Sequence, residues 1–374
     1  IAFVVWMIIG DIPTAVIFTI TTLVIACPHA LGLAIPLVTA RSTSLGASRG
    51  LLVKDRQALE IAQDADVMIL DKTGTLTTGE FKVLDVKLLN DKYTKEETIA
   101  LLAGIEGGSS HPIAQSIISF AEQQNIRPAS FDSIDVISGS GVEGKAGGHR
   151  YQLISQKAYG RNLDMDTPKG ATLSVLVEND DAIGAVALGD ELKPTSKELI
   201  KALKKNNIRP IMATGDNEKA AQGAAVDLGI EYRSNQSPQD KYELVKTLKD
   251  EGKKVIMVGD GVNDAPSLAL ADVGIAIGAG TQVALDSADV ILTQSDPGDI
   301  ESFIELAHKT TRKMKQNLFW GAGYNFIAIP LAAGILAPIG ITLSPALGAI
   351  LMSVSTVIVA INAMLLRLDP KNNG

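Results

Sequence analysis

Asp71-Lys72-Thr73-Gly74-Thr75 sets a carboxylate directly after the apolar run Val67-Met68-Ile69-Leu70. The run reads as a buried parallel strand. Open α/β sheets bind their ligands beyond the carboxyl ends of such strands, and Gly74 permits a sharp turn at that place. A carboxylate there can attack a phosphoryl group and hold it as an acyl phosphate, dividing one hard transfer into two easier ones. Two further strand ends carry matching chemistry. Lys254-Val255-Ile256-Met257-Val258 delivers Gly259-Asp260-Gly261-Val262-Asn263-Asp264, whose carboxylates suit a hard Mg²⁺ ion with oxygen ligands. Arg209-Pro210-Ile211-Met212-Ala213 delivers Thr214-Gly215-Asp216, where Thr214 can donate a hydrogen bond to a phosphoryl oxygen. Lys241, after Ser237-Pro238-Gln239-Asp240, can neutralise phosphate charge. Each string alone is an ordinary turn. Together they supply the positioning and charge neutralisation that phosphoryl transfer needs.

A second constellation is Cys27-Pro28-His29, inside a long apolar stretch. Proline frees backbone carbonyls from the helical ladder. Thiolate and imidazole are both ligands for transition metals. Ionisable groups at membrane depth mark ion paths. Tyr324-Asn325 and Met352-Ser353-Val354-Ser355-Thr356 add polar groups to two other apolar stretches, with Asn317 and Asn362 nearby. Met352 offers a thioether, which suits soft copper. Ser353 and Asn362 read as hydrogen-bonding groups between helices.

The elements that must position these groups follow from hydropathy and charge. The chain has 374 residues, 46% of them hydrophobic, and a mean hydropathy of +0.19, which is high for a wholly soluble protein. A net charge of −8 argues against nucleic acid as a partner. The single cysteine excludes an internal disulfide framework. Apolar stretches near 12–40, 318–336 and 343–366 are each long enough to cross a bilayer. Arg41, Arg49, Lys54 and Arg56 follow the first, Arg312, Lys313 and Lys315 precede the second, and Arg367 follows the third. The positive-inside rule then puts residues 41–317 in the cytoplasm. Residues 41–80 and 185–310 alternate strand and helix patterns, as a doubly wound parallel sheet does. Helices are predicted over 220–228 and 241–249, and residues 81–184 read as an inserted domain with strand-like runs at 151–154 and 172–177. Ile1 to Gly10 resembles the tail of a membrane helix, so the chain is expected to lack an N-terminal part.

Nearly the whole chain resembles the heavy-metal-transporting P-type ATPases, and its membrane strings resemble the copper-exporting B-type subgroup with a C-P-H motif. The resemblance implies a haloacid-dehalogenase-like parallel sheet with an inserted α+β nucleotide-binding domain (81–184), between membrane helices at 1–40 and 311–374. It implies ATP as phosphoryl donor and Asp71 as the phosphorylated residue, with Lys72, Thr73, Thr214, Gly215, Asp216, Lys241, Asn263 and Asp264 around it. Asp71, Thr73 and Asp260 are the Mg²⁺ set so implied. Glu106, the His111-Pro112 histidine and the Gly139/Gly141 pair match the adenine pocket, with Glu106 and His111 read on one helix. Cys27 and His29 are the inferred ligands of the transported ion, with Tyr324, Asn325, Met352, Ser355 and Thr356 as weaker candidates. The partners so implied are the lipid bilayer, the transported ion and a metal chaperone or donor, in a multi-pass protein of a bacterial or archaeal plasma membrane.

Thr78-Gly79-Glu80 matches the string that P-type ATPases carry on a separate actuator domain, but it lies too close to Asp71 for that domain. It reads as a polar turn, and the actuator is absent from this chain, which is therefore expected to bind nucleotide without completing a transport cycle. Copper is the expected cargo, with silver or zinc/cobalt transport as alternatives, because imidazole and thiolate together admit Cu⁺, Cu²⁺ and Zn²⁺. Two other classes remain: a membrane-anchored haloacid-dehalogenase-type phosphatase and a non-enzymatic metal-binding module. The phosphatases carry a second Asp two positions after the nucleophile, where this chain has Thr73. The full phosphate site argues against the module.

Overall fold

The computed structural model describes residues 1–27, 29–109, 111–137, 141–161, 163, 171–260, 263–278 and 282–369. Pro28, Gly139, Gly261 and Val262, named above, lie outside the described residues. The chain divides into two compact units, one made of Ile1–Ala65, Asp289–Gln294 and Asp299–Gly374, the other of Asp66–Ala288 and Ser295–Gly298.

The second unit holds two sheets among the described residues. In the first, parallel strands run in the order Val273–Ile277, Val255–Gly259, Val67–Asp71, Arg209–Ala213, Glu231–Arg233. Val67–Asp71 and Val255–Gly259 are buried along their whole length, as central strands of a sheet covered on both faces must be. Val67, Ile69, Ile211, Val255 and Met257 face the same core as Val245 and Leu248 of the Pro238–Asp250 helix. That helix begins three residues before the predicted 241 because Ser237 and Asp240 form a capping box with Pro238 at the first turn. Glu218–Leu228 likewise starts early, at the Asn217 cap, and ends at Gly229 with φ +64.

The other sheet is antiparallel, in the order Thr77–Leu88, Asp181–Leu192, Thr172–Glu178, His149–Ser155, Gly141–Ala146, Ser133–Ile137. Helices Lys95–Ile105 and Pro112–Gln123 cover it through Ile99, Leu102, Ile105 and Ile117, packed with Leu153, Leu176, Val186 and Leu188. The Thr78-Gly79-Glu80 string is not a free turn. It lies within the Thr77–Leu88 strand, where the register shifts between Thr77 and Phe81. Gly79 takes φ +77 there, and a Cβ on it would come within 3.3 Å of Gly74, so the bulge packs on the turn that follows Asp71.

The first unit is helical: Ala2–Ile9, Ile12–Ala26, His29–Ser48, Pro297–Ala322, Asn325–Ala332 and Pro345–Met364, with a short antiparallel pair of Leu51–Val53 and Val290–Leu292. Among the described residues two helical runs, Ile12–Ser48 and Pro345–Met364, are long and apolar enough to cross a membrane. The stretch expected as a single span over 318–336 is instead broken, with residues 318–322 ending one helix and Asn325–Ala332 forming a separate short one. The break falls at Gly323, where a Cβ would lie 2.4 Å from the Phe319 carbonyl oxygen. Hydropathy does not register that constraint. Asn317 Nδ2 donates to the Ala34 carbonyl at 3.0 Å, Asn362 Nδ2 to Asn317 Oδ1 at 2.7 Å, and Lys313 Nζ to Asn362 Oδ1 at 2.7 Å. This chain of polar groups ties three helices. Gly348 lets Pro345–Met364 approach Ile25 closely, since a Cβ there would stand 2.8 Å from that side chain.

Gly104, on the helix that covers the antiparallel sheet, has the Ala129 carbonyl oxygen 2.2 Å from where its Cβ would be. Gly104→Ala should therefore destabilise the second unit by about 1–3 kcal/mol, as overpacking against backbone does. Urea unfolding read by circular dichroism checks this; an unchanged midpoint contradicts it.

Candidate active site

The register of the parallel sheet brings three carboxyl ends together. Asp71 lies opposite Ala213, so Thr214 follows beside Lys72. Leu70 lies opposite Val258, so Gly259 and Asp260 follow on the other side. After Asp71 the chain turns through Lys72–Leu76, with Thr73 extended and Gly74 at φ +72. Lys241 reaches this point from the first turn of its own helix. Its Nζ donates to Asp71 Oδ1 at 2.6 Å and to Asp264 Oδ1 at 2.7 Å. All three side chains are buried.

One cation thus serves two buried carboxylates, with Asp260 close by. Burial pushes the Asp71 carboxyl up to about 6; Lys241 opposes this, and Asp264 and Asp260 add to it. Asp264 is also raised, chiefly by burial and further by Asp260, against Lys241. Burial alone would lower Lys241, but Asp71 and Asp264 together hold it above its usual value. The site carries surplus negative charge, and carboxylate oxygens are the donors that a hard divalent cation prefers. Among the described residues no group of three or more His, Cys, Asp or Glu stands ready to hold a metal ion.

Lys72 forms an ion pair with Asp216, which ties the turn after Asp71 to the Thr214-Gly215-Asp216 turn. The Asp216 amide donates to Thr214 Oγ1 at 3.1 Å. The hydroxyl oxygen is then an acceptor, and its own proton is available to a phosphoryl oxygen. Thr73, Asp260 and Asn263 are exposed, and Gly215 has no atom closer than 3.5 Å to a would-be Cβ.

Several residues that build this site escaped the sequence reading. A Cβ on Gly259 would lie 2.3 Å from Asp264 Oδ2, so Gly259 makes room for the Asp264 carboxylate. Asp190 accepts from Thr77 Oγ1, from Thr78 Oγ1 at 3.2 Å and from the Gly79 amide at 2.9 Å. Lys193 donates to the Gly74 carbonyl, and Ser196 Oγ to the Leu76 carbonyl at 2.7 Å. Burial lowers the Lys193 ammonium, against Asp296 and Asp190. In sequence Gly189-Asp190 reads as an ordinary turn, but it lies within the Asp181–Leu192 strand.

Glu106 and His111 do not share a helix. Glu106 caps the end of Lys95–Ile105, and His111 caps the start of Pro112–Gln123, its Nδ1 accepting from the Ile113 amide at 3.3 Å. The glycines between them end the first helix. Burial raises the Glu106 carboxyl, against His111 close by. Gly141 takes φ +151, and a Cβ on it would lie 2.0 Å from the Leu153 carbonyl oxygen; close strand pairing alone demands glycine there.

In the helical unit, Cys27 and His29 are exposed at the break between Ile12–Ala26 and His29–Ser48, and the His29 amide donates to the Cys27 carbonyl at 2.9 Å. Tyr324 packs on the cluster around Ile25. Asn325 Oδ1 is buried with no hydrogen-bond partner among the described residues. Met352, Ser355 and Thr356 share one face of their helix by spacing. Ser355 Oγ donates to the Trp320 carbonyl at 3.2 Å, and Thr356 Oγ1 to the Met352 carbonyl at 3.1 Å.

Comparison with known proteins bears on this geometry. Residues 65–272 match the haloacid dehalogenase-like hydrolase family, as do residues 241–304. A copper-exporting P-type ATPase B of Enterococcus hirae is 52% identical over 98% of this chain and 50% of its own length. One of Archaeoglobus fulgidus is 48% identical over 96% of this chain and 53% of its own. The chain spans about half the length of the curated relatives it matches. A zinc-transporting PIB-type ATPase in an E2.Pi state superposes with a TM-score of 0.81 at 32% identity, over 92% of this chain and 57% of that one. The catalytic domain of a CPx-ATPase gives 0.53 at 32% identity, over 69% of this chain and 96% of that one.

The shared cation has consequences for stability in the absence of divalent metal. Lys241→Ala, which strands two buried carboxylates, should destabilise by about 3–5 kcal/mol. Asp71 has a folded pKa near 6, above the unfolded value, so its stabilising contribution is complete below about pH 4 and is lost as pH rises through about 6. Asp71→Asn should remove that loss and raise the melting temperature at pH 7.5 in EDTA. Equal melting of wild type and Asp71→Asn from pH 5 to pH 7.5 contradicts this.

Proposed function

Because the chain belongs to the haloacid dehalogenase-like hydrolases and, within them, to the heavy-metal-transporting P-type ATPases, we propose that it carries the phosphorylation and ion-path parts of an ATP-driven copper exporter. The observation that carries the reading is the Lys241 ammonium held between Asp71 and Asp264 at the carboxyl end of the sheet. That arrangement suits an aspartyl phosphate. Asp71 attacks the γ-phosphorus of ATP and the bond to the leaving ADP oxygen breaks. Lys241 and Thr214 meet charge on the transferring group, which is the main demand of phosphoryl transfer. Lys72, paired with Asp216, fixes the turn that carries Thr73. Asp71 and Asp260, with Thr73, would hold Mg²⁺, which neutralises phosphate charge when bound. Asn263 and Asp264 brace the site, and Gly215 leaves space over the phosphate.

In this reading residues 41–80 and 185–310 form the phosphorylation domain, and 81–184 bind ATP through Glu106, His111, Gly139 and Gly141. Residues 1–40 and 311–374 lie in the membrane of a multi-pass protein, a bacterial or archaeal plasma membrane, with the catalytic parts in the cytoplasm. Cys27 and His29 hold the ion, and Tyr324, Asn325, Met352, Ser355 and Thr356 are further candidates along its path. A metal chaperone or donor delivers it. Copper is favoured over zinc because relatives near 50% identity are named copper exporters, whereas the zinc transporter matched in structure is 32% identical. Thr73, where the phosphatases place an acid, favours a long-lived acyl phosphate over simple hydrolysis.

ATPase activity of the protein carrying this chain should be stimulated by Cu⁺, Cu²⁺ or Ag⁺ more than by Zn²⁺ or Co²⁺. Asp71→Asn should abolish it, by about 10⁴-fold or more, the scale for loss of a covalent nucleophile. His29→Cys should shift the preference toward Cu⁺. Stimulation by zinc or cobalt but not copper would refute the copper assignment.

A further inference from the structure

The helix Pro297–Ala322 turns Phe303, Ala307, Met314 and Asn317 into the helical unit. Its other face carries His308, Arg312, Lys315 and Phe319 at helical spacing. With Trp320 and Gln63 they line an open groove of about 600 Å³. Neither phosphoryl transfer nor the ion path uses these residues. Arg312 and Lys315 are exposed, and no ion-pair partner stands beside them among the described residues. His308 Nε2 is shielded from solvent and likewise has no hydrogen-bond partner. Phe319 is 68% and Trp320 50% exposed.

The chemistry of the groove changes along the helix axis. Its cationic end lies at 312–315, and from Leu318 onward the exposed side chains are apolar. Arg312 and Phe319 are seven residues apart, about 10 Å along a helix. The polar layer of one leaflet is roughly 5–8 Å deep, so the cations and the aromatics can sit on its two sides. Lys and Arg at the cytoplasmic flank, followed by aromatic rings, is the pattern of a helix entering a bilayer. The volume suits a polar headgroup rather than a whole lipid.

We propose that this groove binds an anionic glycerophospholipid. Its phosphate and headgroup contact Arg312, Lys315 and His308, and the upper part of its acyl chains lies on Phe319 and Trp320. Basic pockets beside membrane helices on the cytoplasmic side recognise acidic headgroups in this way. A free phosphate would match the cations and leave both exposed rings in water, which favours the lipid. The inference rests on the membrane placement proposed above.

The chain has two tryptophans, so Trp6→Phe leaves Trp320 as a reporter inside the groove. The chain is reconstituted in phosphatidylcholine vesicles containing either brominated phosphatidylglycerol or brominated phosphatidylcholine, and Trp320 quenching is measured. The proposal expects brominated phosphatidylglycerol to be preferred about five-fold or more, the worth of one cation near the bilayer surface. Arg312→Gln and Lys315→Gln should each reduce that preference about five-fold, Arg312→Lys should keep it, and Arg56→Gln, outside the groove, should leave it unchanged. Quenching by both lipids equally, or a preference that survives both Gln variants, overturns the site and leaves the membrane placement standing. Quenching by neither lipid overturns the membrane placement itself. Relief of quenching by millimolar inorganic phosphate would make the groove a free-anion site and overturn the lipid assignment.

Discussion

A single ammonium group shared by two buried carboxylates is the constraint on which the rest of the catalytic unit turns. Lys241 Nζ lies 2.6 Å from Asp71 and 2.7 Å from Asp264, and the three groups come from distant parts of the sequence. Buried charges persist only when paired and hydrogen-bonded. Each element that delivers one of them must therefore be fixed to within a few tenths of an ångström. The sheet register fixes Asp71 against its neighbours, the Ser237 capping box fixes the start of the lysine helix, and Gly259 clears the space that the Asp264 carboxylate fills. The pairing is also incomplete, because two carboxylates exceed one ammonium. That excess favours a bound cation over a closed structural salt bridge, since a further positive charge would relieve the repulsion between the carboxylates.

The turn after Asp71 is also held by groups that make no contact with Lys241. Asp190 gathers two hydroxyls and an amide, and Lys193 takes up the Gly74 carbonyl. These contacts lie on the strand that leaves the antiparallel sheet and the segment just after it. The turn that carries Asp71 is thus anchored by the same covalent connection that carries the second sheet. In the helical unit a comparable economy appears in the Lys313–Asn362–Asn317 chain. There polar side chains hydrogen-bond one another and a backbone carbonyl, which makes them structural ties between helices rather than free ligands.

The catalytic strands were legible because central parallel strands write themselves as unbroken apolar runs with a polar residue at the end, as at Leu70-Asp71. Thr214 and Asp264 were legible as polar residues just past two apolar strands, and Lys241 as a cation in a capped helix start, types that a phosphate site would draw together. Asp190 and Lys193 were not, since in sequence a Gly-Asp pair reads as a turn, whereas here it lies inside a strand whose partner carries the braced segment. Glu106 and His111 look as if they share one helix because the run before them is helical, while Gly107 and Gly108, which break it, leave no mark in the hydropathy. The stretch over 318–336 was read as unbroken because hydropathy averages over the position where only glycine fits the backbone, Gly323. Local pattern records burial well and records steric exclusion poorly.

The central claim is that Asp71 becomes an acyl phosphate. The most direct measurement is to incubate the protein with γ-labelled ATP, Mg²⁺ and Cu⁺, quench in acid, and map the labelled peptide. The account predicts label on the peptide containing Asp71, stable in acid, released by hydroxylamine, and absent from Asp71→Asn. Label on a serine or threonine that resists hydroxylamine, or label that persists in Asp71→Asn, would contradict it.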